Sequence, residues 1–319
     1  MTVKARHIVV AINPTASFGR NKAVGARIVE RLRAAGHEVT ALEKSSYREL
    51  LDASHAAVAG EPDAFVVVGG DGMVNLGANV TAETGVPLGI IPSGTGNDMA
   101  RALGIPHDDA DAAVETLLAA LENPALEIDA GLITRTDEHS GEKRSSWFAC
   151  MISAGFDALA NERANAMTFP KGASRYIIAL VVELAKLKPI DYRLVLDGTE
   201  IVTQGALVSI GNGVSLGGGM KVTPDAMLDD GQFDVLVVQP MSRTSFMRIF
   251  PRVFAGTHVV DSRVHVYRAA HVVLESKTVV AYADGDRLGP LPIEVQNRPG
   301  ALHVLAPQPR FESTIVIAK

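Results

Sequence analysis

Ala64-Phe65-Val66-Val67-Val68-Gly69-Gly70-Asp71-Gly72 decides the fold class. Five apolar residues run without polar alternation into a glycine turn, the pattern of a strand buried on both faces, as in a parallel sheet. The pattern recurs on either side. His7-Ile8-Val9-Val10-Ala11-Ile12 meets Asn13-Pro14-Thr15-Ala16-Ser17-Phe18-Gly19-Arg20. Leu88-Gly89-Ile90-Ile91 meets Pro92-Ser93-Gly94-Thr95-Gly96-Asn97-Asp98. Open parallel sheets bind ligands beyond the carboxyl ends of their strands. Three such ends would bring backbone N–H groups, hydroxyls and two Asp side chains together, an inventory suited to a polyphosphate with a divalent metal.

Between these strands the spacing predicts helices over 22–35 (closed by Gly36), 50–58, 73–84, 98–103 and 108–121, with a further strand over 39–42. This βα alternation predicts a parallel α/β domain over residues 1–130. After residue 130 the pattern changes. Thr134 to Ser146 reads as a polar turn, and short apolar runs follow at 148–152, 192–196, 206–210, 233–238, 264–267, 272–274, 279–283 and 302–305. Their frequency predicts an antiparallel β-rich domain over 131–306, interrupted by helices at 175–188 and 242–254. Residues 307–319 can rejoin the first domain.

The chain has 319 residues, a hydrophobic fraction of 47% and a net charge of −6. Such a balance disfavours bulk nucleic-acid binding, which uses a basic face. Cys150 is the only cysteine, so no intrachain disulfide can form and a reducing compartment is expected. The first apolar run breaks at Asn13-Pro14, too early for a secretory signal, and no run reaches the ~20 residues of a membrane span. A cytoplasmic protein, soluble or peripherally attached to a membrane, is expected.

Each candidate motif has an ordinary structural reading beside its chemical one. Gly69-Gly70-Asp71-Gly72 suits a phosphate, because glycine lets backbone approach closely, and equally suits a plain strand-to-helix turn. No Walker-type glycine-lysine loop exists in the chain. Ser93 to Asp98 can form an anion nest or simply cap a helix. Asn13 to Arg20 supplies donors and charge, or is a bare loop. Asp225, Asp229, Asp230 and Asp234 flank a turn that can hold a hard cation or stay a solvated acidic turn. Asp284-Gly285-Asp286 follows an apolar run. If that strand continues, both carboxylates share a face and can act as a general base pair; a solvent-facing Asp-Gly turn is the commoner use. Arg243, Arg248, Arg252, Arg263 and Arg268 interleave with Phe246, Ile249, Phe250, Val253 and Phe254, either as a basic surface for anionic lipid or as a core-packed helix with a solvated face.

In this order the motifs resemble the bacterial soluble diacylglycerol kinase family, related to sphingosine and ceramide kinases and distantly to NAD kinases. The resemblance covers nearly the whole chain and includes Gly217-Gly218-Gly219-Met220; Gly94-Thr95-Gly96-Asn97-Asp98 is its most specific part. It implies ATP in a cleft between the two domains, touching Asn13, Pro14, Thr15, Ala16 and Ser17, then Gly70, Asp71, Gly72, Met73, Val74, Asn75 and Leu76, then Gly94, Thr95, Gly96 and Asn97. It implies a structural Mg²⁺ at Asp230 with the carbonyls of Met227 and Gln232. Asp284 and Asp286 match the family's catalytic carboxylates, and Asp71 would organise catalytic Mg²⁺. Three departures stand out: Met73 replaces the usual Thr, Asp286 replaces the usual Glu, and Leu42 stands where a small polar ATP contact is expected. The shorter Asp286 sets Asp284 ahead of it as proton acceptor. The implied activity is transfer of the γ-phosphoryl group of ATP to a lipid hydroxyl at a membrane surface, most directly diacylglycerol to phosphatidic acid, with the acyl chains in the second domain. Another acceptor (NAD, a sphingoid base, a glycolipid), a catalytically weak sensor, and a homodimer are the alternatives it leaves.

Overall fold

The computed structural model describes residues 5–12, 20–137, 140–167, 178–179, 182–183, 186 and 188–308. Four strands, β1 (His7–Ile12), β2 (Glu38–Glu43), β3 (Ala64–Gly69) and β4 (Leu88–Pro92), pair in parallel in the order β2-β1-β3-β4. β3 and β4 are buried along their whole length, as their unbroken apolar sequences require. Each large side chain there contributes roughly 1.5–3 kcal/mol of burial. The helices α1 (Arg20–Ala34), α2 (Tyr47–Val58), α3 (Asp71–Thr81), α4 (Asp98–Ala102) and α5 (Ala110–Leu121) connect them. α2 packs with α3, and α1 with α5. Ser46 and Asp109 cap α2 and α5 by accepting the N–H groups of Glu49 and of Asp111 and Ala112. Since β1 lies between β2 and β3, the connections leave it in opposite directions, and the glycine turn after β3 opens beside that switch point.

The antiparallel half comprises β5 (Leu126–Thr136), β6 (Lys143–Phe148), β7 (Met151–Gly155), β8 (Ile190–Leu196), β9 (Thr199–Gly205), β10 (Leu207–Gly211), β11 (Phe233–Val238), β12 (Val264–Ala269), β13 (His271–Glu275), β14 (Val280–Ala283), β15 (Asp286–Pro290) and β16 (Ile293–Leu305), with α6 (Phe156–Ala166) and α7 (Arg243–Ile249). One sheet runs β12-β11-β10-β7-β14-β15. It packs against β5, β8, β13 and β16 through a core that includes Ile133, Phe148, Leu194, Phe233, Val235, Val272 and Ile293. The chain is therefore an α/β domain with a parallel sheet joined to an antiparallel β sandwich.

β5 and β16 pair along almost their full lengths, with a bulge between Arg298 and Leu302. The late end of β16 then lies parallel to β4, while its early end pairs antiparallel with β13. One strand thus makes a single ten-stranded sheet of both halves. Residue 130 sits inside β5: side chains up to Ala130 pack in the first core, and Ile133 in the second.

Several local expectations change. Most of Thr134 to Ser146 is strand, the ends of β5 and β6, because β16 supplies a partner that the polar sequence does not announce. β9 and β15 carry no apolar run and form as hairpin partners of β8 and β14. The helix expected over 242–254 is α7 followed by a 3-10 segment over Phe250–Ala255, with Pro251 at its start, where its ring removes a helix donor. The loop of Asn13, Pro14, Thr15, Ala16 and Ser17, most of the helix expected over 175–188, and residues 309–319 lie outside the described residues. Among the described residues no helix is long and apolar enough to cross a membrane.

Candidate active site

The turns after β3 and β4 meet backbone to backbone. A Cβ added to Gly94 would lie 2.4 Å from the Cα of Gly70, and one on Gly70 would lie 3.0 Å from the Cα of Gly94. A side chain at either position would push the two turns apart, which is why both are glycine. Asp71, the first residue of α3, locks the contact. Its carboxylate accepts the N–H of Asn97 at 2.8 Å and of Asp98 at 2.7 Å. Gly96 lies so close that a Cβ there would sit 2.4 Å from Asp71 Oδ2. Asn97 stands in the left-handed region (φ 57°, ψ 41°), and its buried amide closes on the backbone of Gly94 and His107. Asn97 therefore shapes the loop, and its amide is spent on backbone.

Asp98 reaches across to the sandwich. Its carboxylate accepts the N–H groups of Gly218 and Gly219, each at 2.8 Å. Positive φ at Gly217, Gly218 and Gly219 turns those donors inward. This tie between domains was not legible in the sequence, where Asp98 read as a helix cap; the run of three glycines was the one available signal.

Asp284 arrives from the other side. With φ of 48° at Asp284 and 90° at Gly285, the pair forms the two-residue turn of the β14–β15 hairpin, and Ala283 faces Asp286 across it. The strand does not continue, so the expected shared face does not exist and the two carboxylates part. Asp284 turns inward and is only 6% exposed. Its Oδ1 accepts the N–H groups of Cys150 (3.0 Å) and Met151 (2.9 Å), and its Oδ2 those of Ala149 (2.8 Å) and the Asn75 amide (3.4 Å). Asn75 belongs to α3, so the late Asp pair and the early glycine turn do share one cleft. Asp286 turns outward, and its carboxylate makes no hydrogen bond or ion pair with a described residue.

Charge gathers in this cleft. Burial, then the neighbouring Asp98, pushes the Asp71 carboxyl up. Burial pushes Asp284 up against the pull of its donors. Asp286 is pushed up to about 6, by loss of solvation first and then by the charge of Asp284. The Tyr47 phenol is pushed up to about 12 by burial and by Asp286, which sets the first residue of α2 opposite the Asp286 hairpin. Behind that hairpin, Glu162 of α6 accepts from Tyr282 Oη at 2.7 Å and from Arg287 Nε at 2.9 Å. Sequence reasoning singled out neither Tyr47 nor Glu162, which gain their positions only from tertiary packing.

The expected nucleotide contacts divide. Met73, Val74, Asn75 and Leu76 are buried, and the Asn75 amide donates to Trp147 O and Asp284. Met73 fills the space over Gly69, where a Cβ would meet its Cγ at 2.3 Å. Gly72 and Thr95 are exposed, and a Cβ on Gly72 would meet nothing within 4 Å. The opening N–H groups of α3 have no partner within the helix. Beside them Ser93 Oγ is buried without a hydrogen-bond partner. An orphaned hydroxyl and an open glycine at a helix start fit a phosphate.

The residues expected to hold a structural cation lie in the turn before β11. Asp230 Oδ2 pairs with Arg268, and its Oδ1 accepts the N–H of Gln232 at 3.1 Å. Arg268 also stands 3.5 Å from Asp234. Met227 carries an exposed side chain. Asp129 anchors the turn by accepting Gly231 and Gly300 N–H groups. Met227, Asp230 and Gln232 thus share a turn in which the Asp230 carboxylate is held by Arg268 and the Gln232 N–H. Among the described residues no group of three His, Cys, Asp or Glu is arranged for a metal.

Comparison with known proteins agrees with this geometry. Residues 7–130 match the model of the diacylglycerol kinase catalytic domain, and residues 150–306 that of the YegS C-terminal NAD kinase beta sandwich-like domain. A diacylglycerol kinase of Mycobacterium tuberculosis (strain ATCC 25618 / H37Rv) is 40% identical over 93% of this chain and 94% of its own. One from Bacillus subtilis (strain 168) is 28% identical over 95% and 97%. The solved structure of a diacylglycerol kinase from Bacillus anthracis str. Sterne superposes with a TM-score of 0.67 at 20% identity, covering 96% of this chain and 98% of that one. Yeast NADH kinase shares the fold more loosely, with a TM-score of 0.53 at 12% identity over 99% and 91%. With its glycine turns interlocked beneath a cleft of carboxylates, and two domain models matching in sequence, this chain is a kinase and belongs to the diacylglycerol kinase family.

Proposed function

We propose that the chain transfers the γ-phosphoryl group of ATP to the hydroxyl of diacylglycerol, with Asp286 as proton acceptor. The observation that carries the assignment is the contrast within the Asp pair. Asp284 has four donors on its two oxygens and almost no exposure. Asp286 is exposed, unpaired among the described residues and raised to about 6. A base titrating near the working pH is suited to taking a hydroxyl proton. The order expected from side-chain length, Asp284 ahead of Asp286, is therefore reversed. Asp284 is a positioning residue that fixes the hairpin carrying Asp286.

The acceptor oxygen attacks the γ-phosphorus as its proton passes to Asp286, and the bond to the β-phosphate oxygen breaks to release ADP. The N–H groups at the start of α3, and Ser93 Oγ, face the phosphates. Asp71 is the carboxylate beside them for Mg²⁺, which would supply charge neutralisation on phosphate oxygens and take most of its ligands from ATP and water. Asp98 holds the two halves of the cleft together.

The acyl chains are assigned to hollows along α6, the helix whose Glu162 holds Arg287 of the Asp286 hairpin. A hollow of about 620 Å³ along α6 is lined by Leu159, Ala166 and Met167 and by the charged Glu162, Arg163, Glu183 and Lys186, so it suits the polar end of a lipid. A second of about 260 Å³ is lined by Phe156, Leu159, Ile190 and Val279. The mainly apolar lining of the second suits a lipid tail.

The test is labelled-ATP transfer to a panel of lipids and to NAD in mixed micelles with Mg²⁺, using wild type and Asp286→Asn. Label on diacylglycerol, lost in the variant, is the expected result. Label on NAD alone, or undiminished transfer by the variant, overturns the proposal.

A further inference from the structure

We infer that the surface formed by α7 and the 3-10 segments after it docks the protein onto an anionic lipid membrane. Residues 239–260 contain Arg243, Arg248 and Arg252 and no Asp or Glu, in a chain whose net charge is −6. Phe246 and Ile249 are the buried face of α7. Met247, on the other side, is 59% exposed, and Arg243 and Arg248 beside it are exposed with no acidic partner among the described residues.

A row of rings leads from the core to that surface. Phe156 and Phe246 have centroids 5.0 Å apart, Phe246 and Phe250 5.9 Å, and Phe250 and Phe254 6.4 Å. Phe156 and Phe246 are buried, whereas Phe254 is 54% exposed. Val260, at the end of the 3-10 segment Thr257–Val260, is 79% exposed. A Phe side chain 54% exposed forfeits about half of its burial energy. Apolar tips on a surface that also carries Arg243 and Arg248, unpaired among the described residues, match the interface of a bilayer bearing anionic headgroups.

The surface also stands in the right place. Val253 O accepts the N–H of Lys221, His258 Nε2 meets Val222 O at 3.0 Å, and Gly256 abuts Pro224. That supporting segment follows directly from the Gly217–Gly219 loop tied to Asp98. Phe156, against which Phe246 packs, begins α6, whose Glu162 holds the Asp286 hairpin. A membrane at this surface therefore lies beside both the cleft and the hollows along α6. Charge complementarity selects the bilayer over a second copy of this chain, which would bring like-charged arginines together.

The surface belongs to the lipid-kinase reading but is tested apart from it, by co-sedimentation of the full-length protein with vesicles in the absence of nucleotide and diacylglycerol. Wild type should bind equimolar phosphatidylcholine–phosphatidylglycerol vesicles and leave phosphatidylcholine vesicles largely unbound. At roughly 1 kcal/mol, or about fivefold, per surface arginine, Arg243→Ala/Arg248→Ala should lower partitioning about 25-fold. Met247→Ser/Phe254→Ser should lower binding to the anionic vesicles. Both variants should keep the wild-type thermal midpoint and the wild-type rate on a short-chain, water-soluble diacylglycerol. Asp286→Asn should bind vesicles as wild type does. Equal binding by wild type and the surface variants overturns the inference, as does a wild type that ignores anionic vesicles. So does a dimer in sedimentation velocity that only the surface variants lose. A wild type that binds vesicles but phosphorylates no lipid supports the surface and sinks the lipid-kinase reading alone.

Discussion

Replacing Asp284 by Asn separates a positioning carboxylate from a catalytic one. Asn keeps the shape but turns one acceptor oxygen into a donor. The amide oxygen would take the Oδ1 position, where it retains the Cys150 and Met151 N–H groups. The NH₂ would then face the Ala149 N–H, previously 2.8 Å from Oδ2, and the Asn75 amide. A hydrogen bond to a charged group is worth about 1.5–3 kcal/mol, and an orphaned buried donor costs about 1–3 kcal/mol. Relief of a buried charge offsets part of this, because burial already raises the Asp284 carboxyl. A net loss of roughly 2 kcal/mol or more is expected, read as a lower denaturant midpoint. Turnover should fall with the disorder of the hairpin and recover partly at low temperature. Asp286→Asn, on the exposed side of the same turn, should leave the midpoint unchanged or higher, since ionising a carboxyl raised to about 6 costs the folded state. Its turnover should drop by about 10²–10⁴ at all temperatures, the usual contribution of general base catalysis. An Asp284→Asn protein as stable as wild type and devoid of turnover, beside an active Asp286→Asn, would refute the division of roles.

Three further outcomes follow from the geometry. Because Asp286 must be ionised to accept a proton and its pKa is raised to about 6, kcat/KM should fall as pH drops through about 6, and the residual rate of Asp286→Asn should lack that limb. Asp98→Ala removes both bonds to Gly218 and Gly219, about 3–6 kcal/mol of charge-assisted hydrogen bonding before relaxation; the KM for ATP should rise more than kcat falls, and isothermal titration with a non-hydrolysable ATP analogue checks it. Arg268→Ala should lower the thermal midpoint slightly, since a half-exposed ion pair is worth about 0–1 kcal/mol, and should make that midpoint respond to Mg²⁺, whereas the wild-type midpoint should not shift with a chelator.

How much could be read in advance depended on the range of the interaction. The apolar runs at 64–68, 88–91 and 233–238 name their own strands, because a segment that apolar has no stable place except inside a sheet. The glycines after β3 and β4 mark close backbone approach, since only they tolerate it, and the motifs that carry the family resemblance lie in those turns. β9, β15 and the early half of β16 had no such signal; they are strands because a neighbour needs their hydrogen bonds.

The chain's own order of residues thus determined its class, its two-part architecture and the place where a phosphate can sit, all consequences of local hydrophobicity and local backbone freedom. Tertiary structure alone decided what each carboxylate does. Asp71, Asp98 and Asp284 are alike in sequence, each beside a glycine or an asparagine, yet each is captured by backbone N–H groups between 26 and 135 positions away. Asp230 is balanced by an arginine 38 positions on. Among the described residues, Asp286 is the one carboxylate of the cleft without a partner, and a free acceptor is a property of what surrounds a side chain, which no short stretch of sequence contains.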